Sequence, residues 1–132
     1  MIIHYLKLYF LTLIAFLAID GLWLTLIAKN FYTKHLGYIM ANPANLWAAL
    51  VFYLIFIAAI LILVVVPTKD LSLGRTLFLA AVFGFASYAT YDLTNLATLK
   101  DWPLIVTLVD LVWGTSVSTL TALIARLILQ KL

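Results

Sequence analysis

The chain has 132 residues, of which 67% are hydrophobic and 10% charged, with no cysteine and a formal net charge of +3. Soluble domains are about half apolar and about a quarter charged, so this composition excludes them, and the lack of cysteine excludes disulfide scaffolds and thiolate metal sites. The eight basic residues are scattered between apolar blocks, which is typical of the ends of membrane helices and provides no basic patch for nucleic acid.

Four long apolar stretches predict four membrane-spanning helices in a single domain, residues 1–132. They cover residues 8–28, 46–66, 77–97 and 104–127. A spanning helix takes roughly 20 residues, so each stretch is long enough to cross a bilayer. Pro67 stops the second helix and Pro103 lies where the fourth begins, positions that suit a residue without a backbone N–H. The predicted fold is an all-α, integral membrane four-helix bundle.

The longest connection joins the first two spans and covers residues 29–45. Its apolar side chains recur about every four residues, at Phe31 or Tyr32, then Leu36, then Met40. This spacing predicts a short helix lying in the membrane interface. Gly37 weakens this prediction because glycine disfavours a helix.

The distribution of basic residues predicts the orientation of the chain. One side collects Lys7, Lys69, Arg75, Arg126 and Lys131, and the other collects Lys29, Lys34 and Lys100. Because cytoplasmic loops are richer in Lys and Arg, both termini are predicted to be cytoplasmic. A reversed or dual topology is the alternative.

Three aspartates, Asp20, Asp92 and Asp110, fall inside apolar stretches. An acid within a span costs a few kcal/mol and marks a polar site lined by protein. At 1.5 Å per residue, each lies roughly 10 to 14 Å from the non-cytoplasmic edge. Three helices therefore contribute one carboxyl each to a single layer, and at least one carboxyl is expected to be protonated at neutral pH because close anions repel. The alternative is that these acids only fix helix packing.

Side chains with N–H and O–H donors accompany the aspartates at helical spacing. Donors of these types can hydrogen-bond a carboxyl. The predicted polar site consists of Asp20, Asp92, Asp110, Trp23, Trp113, Tyr88, Tyr91 and Asn95. Aromatic residues near the span ends are predicted to be interfacial anchors: Trp23, Tyr38, Trp47, Tyr53 and Trp102.

No metal or cofactor is expected. His4 and His35 lie on opposite sides of the membrane in this topology and cannot share a metal ion. The chain has no histidine box, no mid-span lysine and no Gly-rich phosphate loop. Chemistry with carboxylates alone stays open, so an enzyme is possible but not favoured.

Several motifs resemble those of a bacterial family of predicted membrane proteins, domain of unknown function 2177. They cover residues 91–103 (YDLTNLATLKDWP), 110–115 (DLVWGT) and 20–24 (DGLWL), and include Phe31-Tyr32, Leu36-Gly37 and Phe52-Tyr53. The resemblance implies a multi-pass protein of the bacterial inner membrane, without an assigned activity, in a family found near genes for lipid modification and for light or oxidative stress. The family motifs include the three aspartates and their neighbours.

Three functions are compatible with these features. The first is a binding or carrier module for a small cationic or polar ligand or a lipid headgroup. The second is a proton-coupled small-molecule transporter, acting as a homo-oligomer because four helices enclose little volume. The third, suggested only by the family's gene setting, is an accessory or catalytic subunit of membrane lipid modification. Membrane lipids and other copies of the chain are the expected partners.

Overall fold

The computed structural model describes residues 1–132, and every regular element in it is helical. The helices are α1 (Ile2–Leu22), α2 (Lys29–Leu36), α3 (Leu46–Ile60), α4 (Leu73–Thr98) and α5 (Leu104–Lys131). Short π-helical segments extend α1 over Trp23–Ile27 and α3 over Leu61–Val65. With these extensions, α1, α3, α4 and α5 are long and apolar enough to cross a membrane. The prediction of an all-α four-span bundle is confirmed.

Three of the helices extend beyond their predicted apolar stretches. The first begins at Ile2 rather than residue 8, the third begins at Leu73 rather than residue 77, and the fourth continues to Lys131. Helix ends depend on capping as well as hydropathy: the Ser72 hydroxyl accepts a hydrogen bond from the Arg75 backbone N–H at 3.2 Å and starts α4. The Asn45 side chain starts α3 in the same way, accepting from the Ala48 N–H at 3.2 Å.

The most extensive helix pair is α4 against α5. A Cβ atom at Gly84 would collide with the Ser118 side chain and with the Gly114 carbonyl, so small residues set the close approach of these two helices. Helix α5 also packs against α1, and α1 against α3. The apolar core includes the fully buried Phe16 and Ile57.

Most serine and threonine hydroxyls of α4 and α5 donate to the carbonyl four residues earlier in their own helix. The donors are Ser87, Thr90, Thr94, Thr98, Thr115, Ser116, Thr119 and Thr121. These hydroxyl groups therefore donate their hydrogen bonds within their own helix, and few of them form polar contacts between helices.

A buried arginine occupies the end of the bundle that carries both chain termini. Arg126 is only 6% exposed and donates to Thr76 Oγ1 and to the Leu71 carbonyl, both at 2.5 Å. Thr76 in turn contacts the Thr68 hydroxyl at 2.6 Å. Arg126 is predicted only as one of the basic residues at the ends of the membrane helices, and the structure adds that its guanidinium turns inward and binds Thr76 and the connection between α3 and α4.

The predicted short helix after the first span is present as α2, and it ends at Gly37 before reaching Met40. The Tyr38 hydroxyl donates to the Asp101 carbonyl at 2.6 Å, which ties this connection to the turn between α4 and α5. Helix α2 therefore lies at the end of the bundle opposite the chain termini, next to the layer of aspartates.

Candidate functional site

The three aspartates lie at similar depths from the end of the bundle opposite the termini. Asp92 is six residues before the end of α4, Asp110 six residues after the start of α5, and Asp20 seven residues before Ile27. At 1.5 Å per residue these positions are about 9 to 11 Å from the helix ends. All three side chains are buried, with exposures of 6% for Asp20, 0% for Asp92 and 7% for Asp110.

A cavity of about 510 Å³ lies at this level, and all five helices contribute to its wall. Its lining residues are Asp20, Trp23, Leu24, Tyr32, Phe52, Ser87, Tyr88, Tyr91, Asp110 and Trp113. Small-molecule pockets have volumes of about 300 to 1,000 Å³, so this cavity is large enough for a small organic ligand. No lysine, arginine or histidine lines it.

Asp20 accepts hydrogen bonds from two other helices. The Tyr53 hydroxyl on α3 donates to Oδ2 at 2.8 Å, and the Trp113 indole N–H on α5 donates to Oδ1 at 3.2 Å. Each carboxyl oxygen therefore has one donor, as a buried polar group requires. The same two bonds connect α1 to α3 and to α5.

Asp110 is bound by a short relay that begins on α1. The Trp23 indole N–H donates to the Tyr32 hydroxyl at 3.1 Å, and that hydroxyl donates to Asp110 Oδ1 at 2.5 Å. Burial raises the pKa of the Tyr32 phenol, and the hydrogen bond to Asp110 raises it further. Tyr32 therefore keeps its proton at physiological pH and holds α2 over the cavity as a hydrogen-bond donor.

Asp92 has a different environment from the other two acids. No N–H or O–H group donates to either of its carboxyl oxygens, although the side chain is fully buried. The Thr107 hydroxyl of α5 donates to the Asp92 backbone carbonyl at 3.4 Å, and Asp110 follows Thr107 by three residues on the same face of α5, which makes the Asp110 carboxyl the acidic neighbour of Asp92. Asp110 lines the cavity, whereas Asp92 does not. The layer therefore contains one separate acid, Asp20, and one pair, Asp92 with Asp110.

Aromatic rings form much of the cavity wall. The indoles of Trp23 and Trp113 stack with ring centroids 4.3 Å apart and planes 6° from parallel. A Cβ atom at Gly114 would collide with the Tyr88 ring, so the absence of a side chain at Gly114 lets Tyr88 pack against α5. The aromatic wall and the carboxyls together form a site that combines acidic and apolar side chains.

The structure brings most of the predicted site residues together around one cavity. Six of them line it: Asp20, Trp23, Tyr88, Tyr91, Asp110 and Trp113. Asp92 and Asn95 do not line the cavity. No group of three or more His, Cys, Asp or Glu side chains converges in a way that could hold a metal ion.

Three predicted anchors make contacts inside the bundle: Trp23, which lines the cavity, Tyr53 and Trp102. Tyr53 donates to Asp20, and Trp102 is only 7% exposed and donates to Thr107 Oγ1 at 3.0 Å. Their assignment as interfacial anchors is wrong, because an aromatic ring near a helix end can turn inward when a neighbouring helix supplies an acceptor. Trp47 and Tyr38 are exposed, at 79% and 59%.

Tyr32 and Phe52 are site residues that the sequence prediction did not include. Both belong to segments that resemble the family motifs, and this resemblance is the feature of the sequence that could identify them as site residues. The amphipathic spacing predicts a helix around Tyr32 but no partner for its hydroxyl, because Tyr32 precedes Asp110 by 78 residues and their separation in the sequence gives no local clue to their contact.

The fold and its buried acids define a multi-pass membrane protein with four candidate spans. A family model described as predicted membrane protein (DUF2177) matches residues 5–127, and the chain belongs to this family. The matched range includes all of the predicted site residues. No curated protein and no solved structure gives a significant match.

Proposed function

We propose that this membrane protein binds a small organic cation in the cavity between its five helices. The observation that carries the proposal is that Asp20 and Asp110 line one cavity without a lysine, arginine or histidine among the lining residues. A buried carboxylate without a cationic partner is costly in a medium of low dielectric. A bound cation would supply the missing charge.

The aromatic wall favours an ammonium group over a metal ion. A cation over the face of a tryptophan or tyrosine ring gains about 0.5 to 2 kcal/mol, and quaternary ammonium ligands are bound in this way. Trp23, Trp113 and Tyr88 supply such rings beside the two acids. The ammonium group could belong to a free amine or to the headgroup of an amine-bearing lipid, since both present the same chemistry.

The test is calorimetric titration of the purified protein, in phosphatidylglycerol nanodiscs, with choline. We expect choline to bind and its neutral carbon isostere, 3,3-dimethyl-1-butanol, to bind at least about tenfold more weakly, a difference of about 1.4 kcal/mol. Asp20→Asn and Asp110→Asn should each weaken choline binding by a similar factor. Asp70→Asn, which changes an exposed loop acid, is the matched control.

Equal binding of choline and its isostere, or Asn variants that both bind choline like the native chain, would refute the proposal. The source of the ammonium group is tested by adding phosphatidylethanolamine to the nanodiscs. If a lipid headgroup occupies the cavity, the apparent affinity for choline falls in these discs. If the ligand is a free amine, the affinity is the same in both lipid compositions.

A further inference from the structure

The buried carboxyl of Asp92 is not explained by cation binding alone. It is fully buried, neither oxygen receives a hydrogen bond, and it does not line the cavity. An ionised carboxyl in this position would be desolvated without a partner, which costs several kcal/mol. A cation in the cavity would contact Asp110 rather than Asp92, since Asp110 lines the cavity and Asp92 does not.

The groups around Asp92 provide no positive charge. Asp110 faces it from α5, one helical turn after Thr107, whose hydroxyl donates to the Asp92 backbone carbonyl at 3.4 Å. Tyr88 and Tyr91 flank Asp92 on α4, and Tyr32 of α2 donates to Asp110. The remaining titratable groups of the layer are Asp20 on α1 and Tyr53 on α3, which bind each other. All of these groups are acids or phenols. A proton could therefore join the two neighbouring carboxyls: the protonated carboxyl donates its O–H, and the ionised carboxyl accepts the hydrogen bond.

We propose that Asp92 and Asp110 hold one proton between them, and that a cation entering the cavity competes with this proton, so that cation binding releases a proton to solvent. Only the release of the proton on cation binding rests on the proposed function; the shared proton does not. In the exchange, the O–H bond of the pair breaks, the proton leaves to water, and the cation takes its place beside Asp110. One positive charge replaces another, so the total charge of the layer is unchanged.

The shared proton is tested without any ligand. In infrared difference spectra of the native protein at neutral pH, we expect the C=O stretching band of a protonated carboxyl. The band should be lost in Asp92→Asn, whose amide can still donate a hydrogen bond to Asp110 and so preserve the packing. Asp20→Asn should retain the band. Its absence from the native protein would overturn the proposal even if choline binds.

The exchange is tested by choline titration of the native protein in buffers with different ionisation enthalpies. We expect a release approaching one proton per bound choline, and an affinity that rises with pH by up to about tenfold per pH unit, because each binding event removes a proton. In Asp92→Asn the number of protons released should fall to near zero. Choline binding by the native protein without proton release would refute the exchange, whereas a failure of choline to bind would refute the proposed function.

Discussion

The acidic side chains are held by donors from helices that are distant in the sequence. Asp20 on α1 is bound by Tyr53 and Trp113, which are 33 and 93 residues away along the chain. Such bonds fix the relative positions of three helices as well as the orientation of one carboxyl. Their contribution to stability can be measured one donor at a time.

Replacing Tyr53 by phenylalanine removes one of the two donors to Asp20. Hydrogen bonds between membrane helices contribute up to about 2 kcal/mol. We therefore expect Tyr53→Phe to lower the free energy of unfolding by about 1 to 2 kcal/mol, measured by reversible unfolding in mixed micelles. Tyr5→Phe is the control, since the Tyr5 hydroxyl has no hydrogen-bond partner in the chain. Equal losses in the two variants would contradict this account.

The buried acids could be predicted from the sequence, whereas only some of the side chains that donate hydrogen bonds to them could be predicted. A carboxyl within an apolar run is conspicuous because its insertion into the membrane is costly. A tyrosine or tryptophan near a helix end has the same sequence context whether it anchors the helix at the membrane interface or donates a hydrogen bond to a buried acid. Tyr32 and Tyr53 therefore gave no signal of their contact with the acids. The pairing of Asp92 with Asp110 depends on helix rotation, which hydropathy does not determine.

At the scale of the helices, glycine positions determine how closely α4 and α5 approach. Gly114 makes room for the Tyr88 ring, and Gly84 makes room for Ser118. The sequence places these small residues at helical spacing from the acids, with Gly84 eight residues before Asp92 and Gly114 four residues after Asp110. The helix ends were less predictable because the Ser72 and Asn45 caps, rather than apolar residues, determine where α4 and α3 begin.

A comparison of two glycines tests this packing. Alanine is favoured over glycine within a helix by about 1 kcal/mol, and this should apply at Gly21, where nothing lies within 4 Å of an added Cβ. At Gly114 the added methyl group would collide with Tyr88, so we expect Gly114→Ala to lose about 1 to 3 kcal/mol of unfolding free energy. It should also weaken choline binding, because Tyr88 lines the cavity. Similar stability of the two alanine variants would contradict the role of Gly114.

Across the whole molecule, the buried charged groups are separated along the bundle axis. The three aspartates lie near one end, and Arg126 lies near the end that carries the termini. Asp110 and Arg126 are sixteen residues apart on α5, or about 24 Å along the helix. At this distance Arg126 cannot serve as a counter-ion for the carboxyls, which supports an external cation.

The orientation of the chain is a prediction for the whole molecule, with both termini cytoplasmic. Because the chain has no cysteine, single introduced cysteines can be labelled without background. In spheroplasts of a bacterium expressing the chain, a membrane-impermeant maleimide should label Thr33→Cys directly and label Leu132→Cys only after permeabilisation. The reverse pattern would show the opposite orientation, and labelling of both variants in intact spheroplasts would show a dual topology.

The serine and threonine hydroxyls of α4 that donate to carbonyls of their own helix also affect how easily this helix enters a bilayer. Its mean hydropathy of 1.2 is the lowest of the four candidate spans, compared with 3.2 for α3. Hydropathy scales count each threonine and serine as a polar group in need of water, but Thr90, Thr94 and Thr98 already donate to carbonyls of the same helix. The free-energy cost of moving α4 into hydrocarbon is therefore lower than residue-by-residue addition suggests.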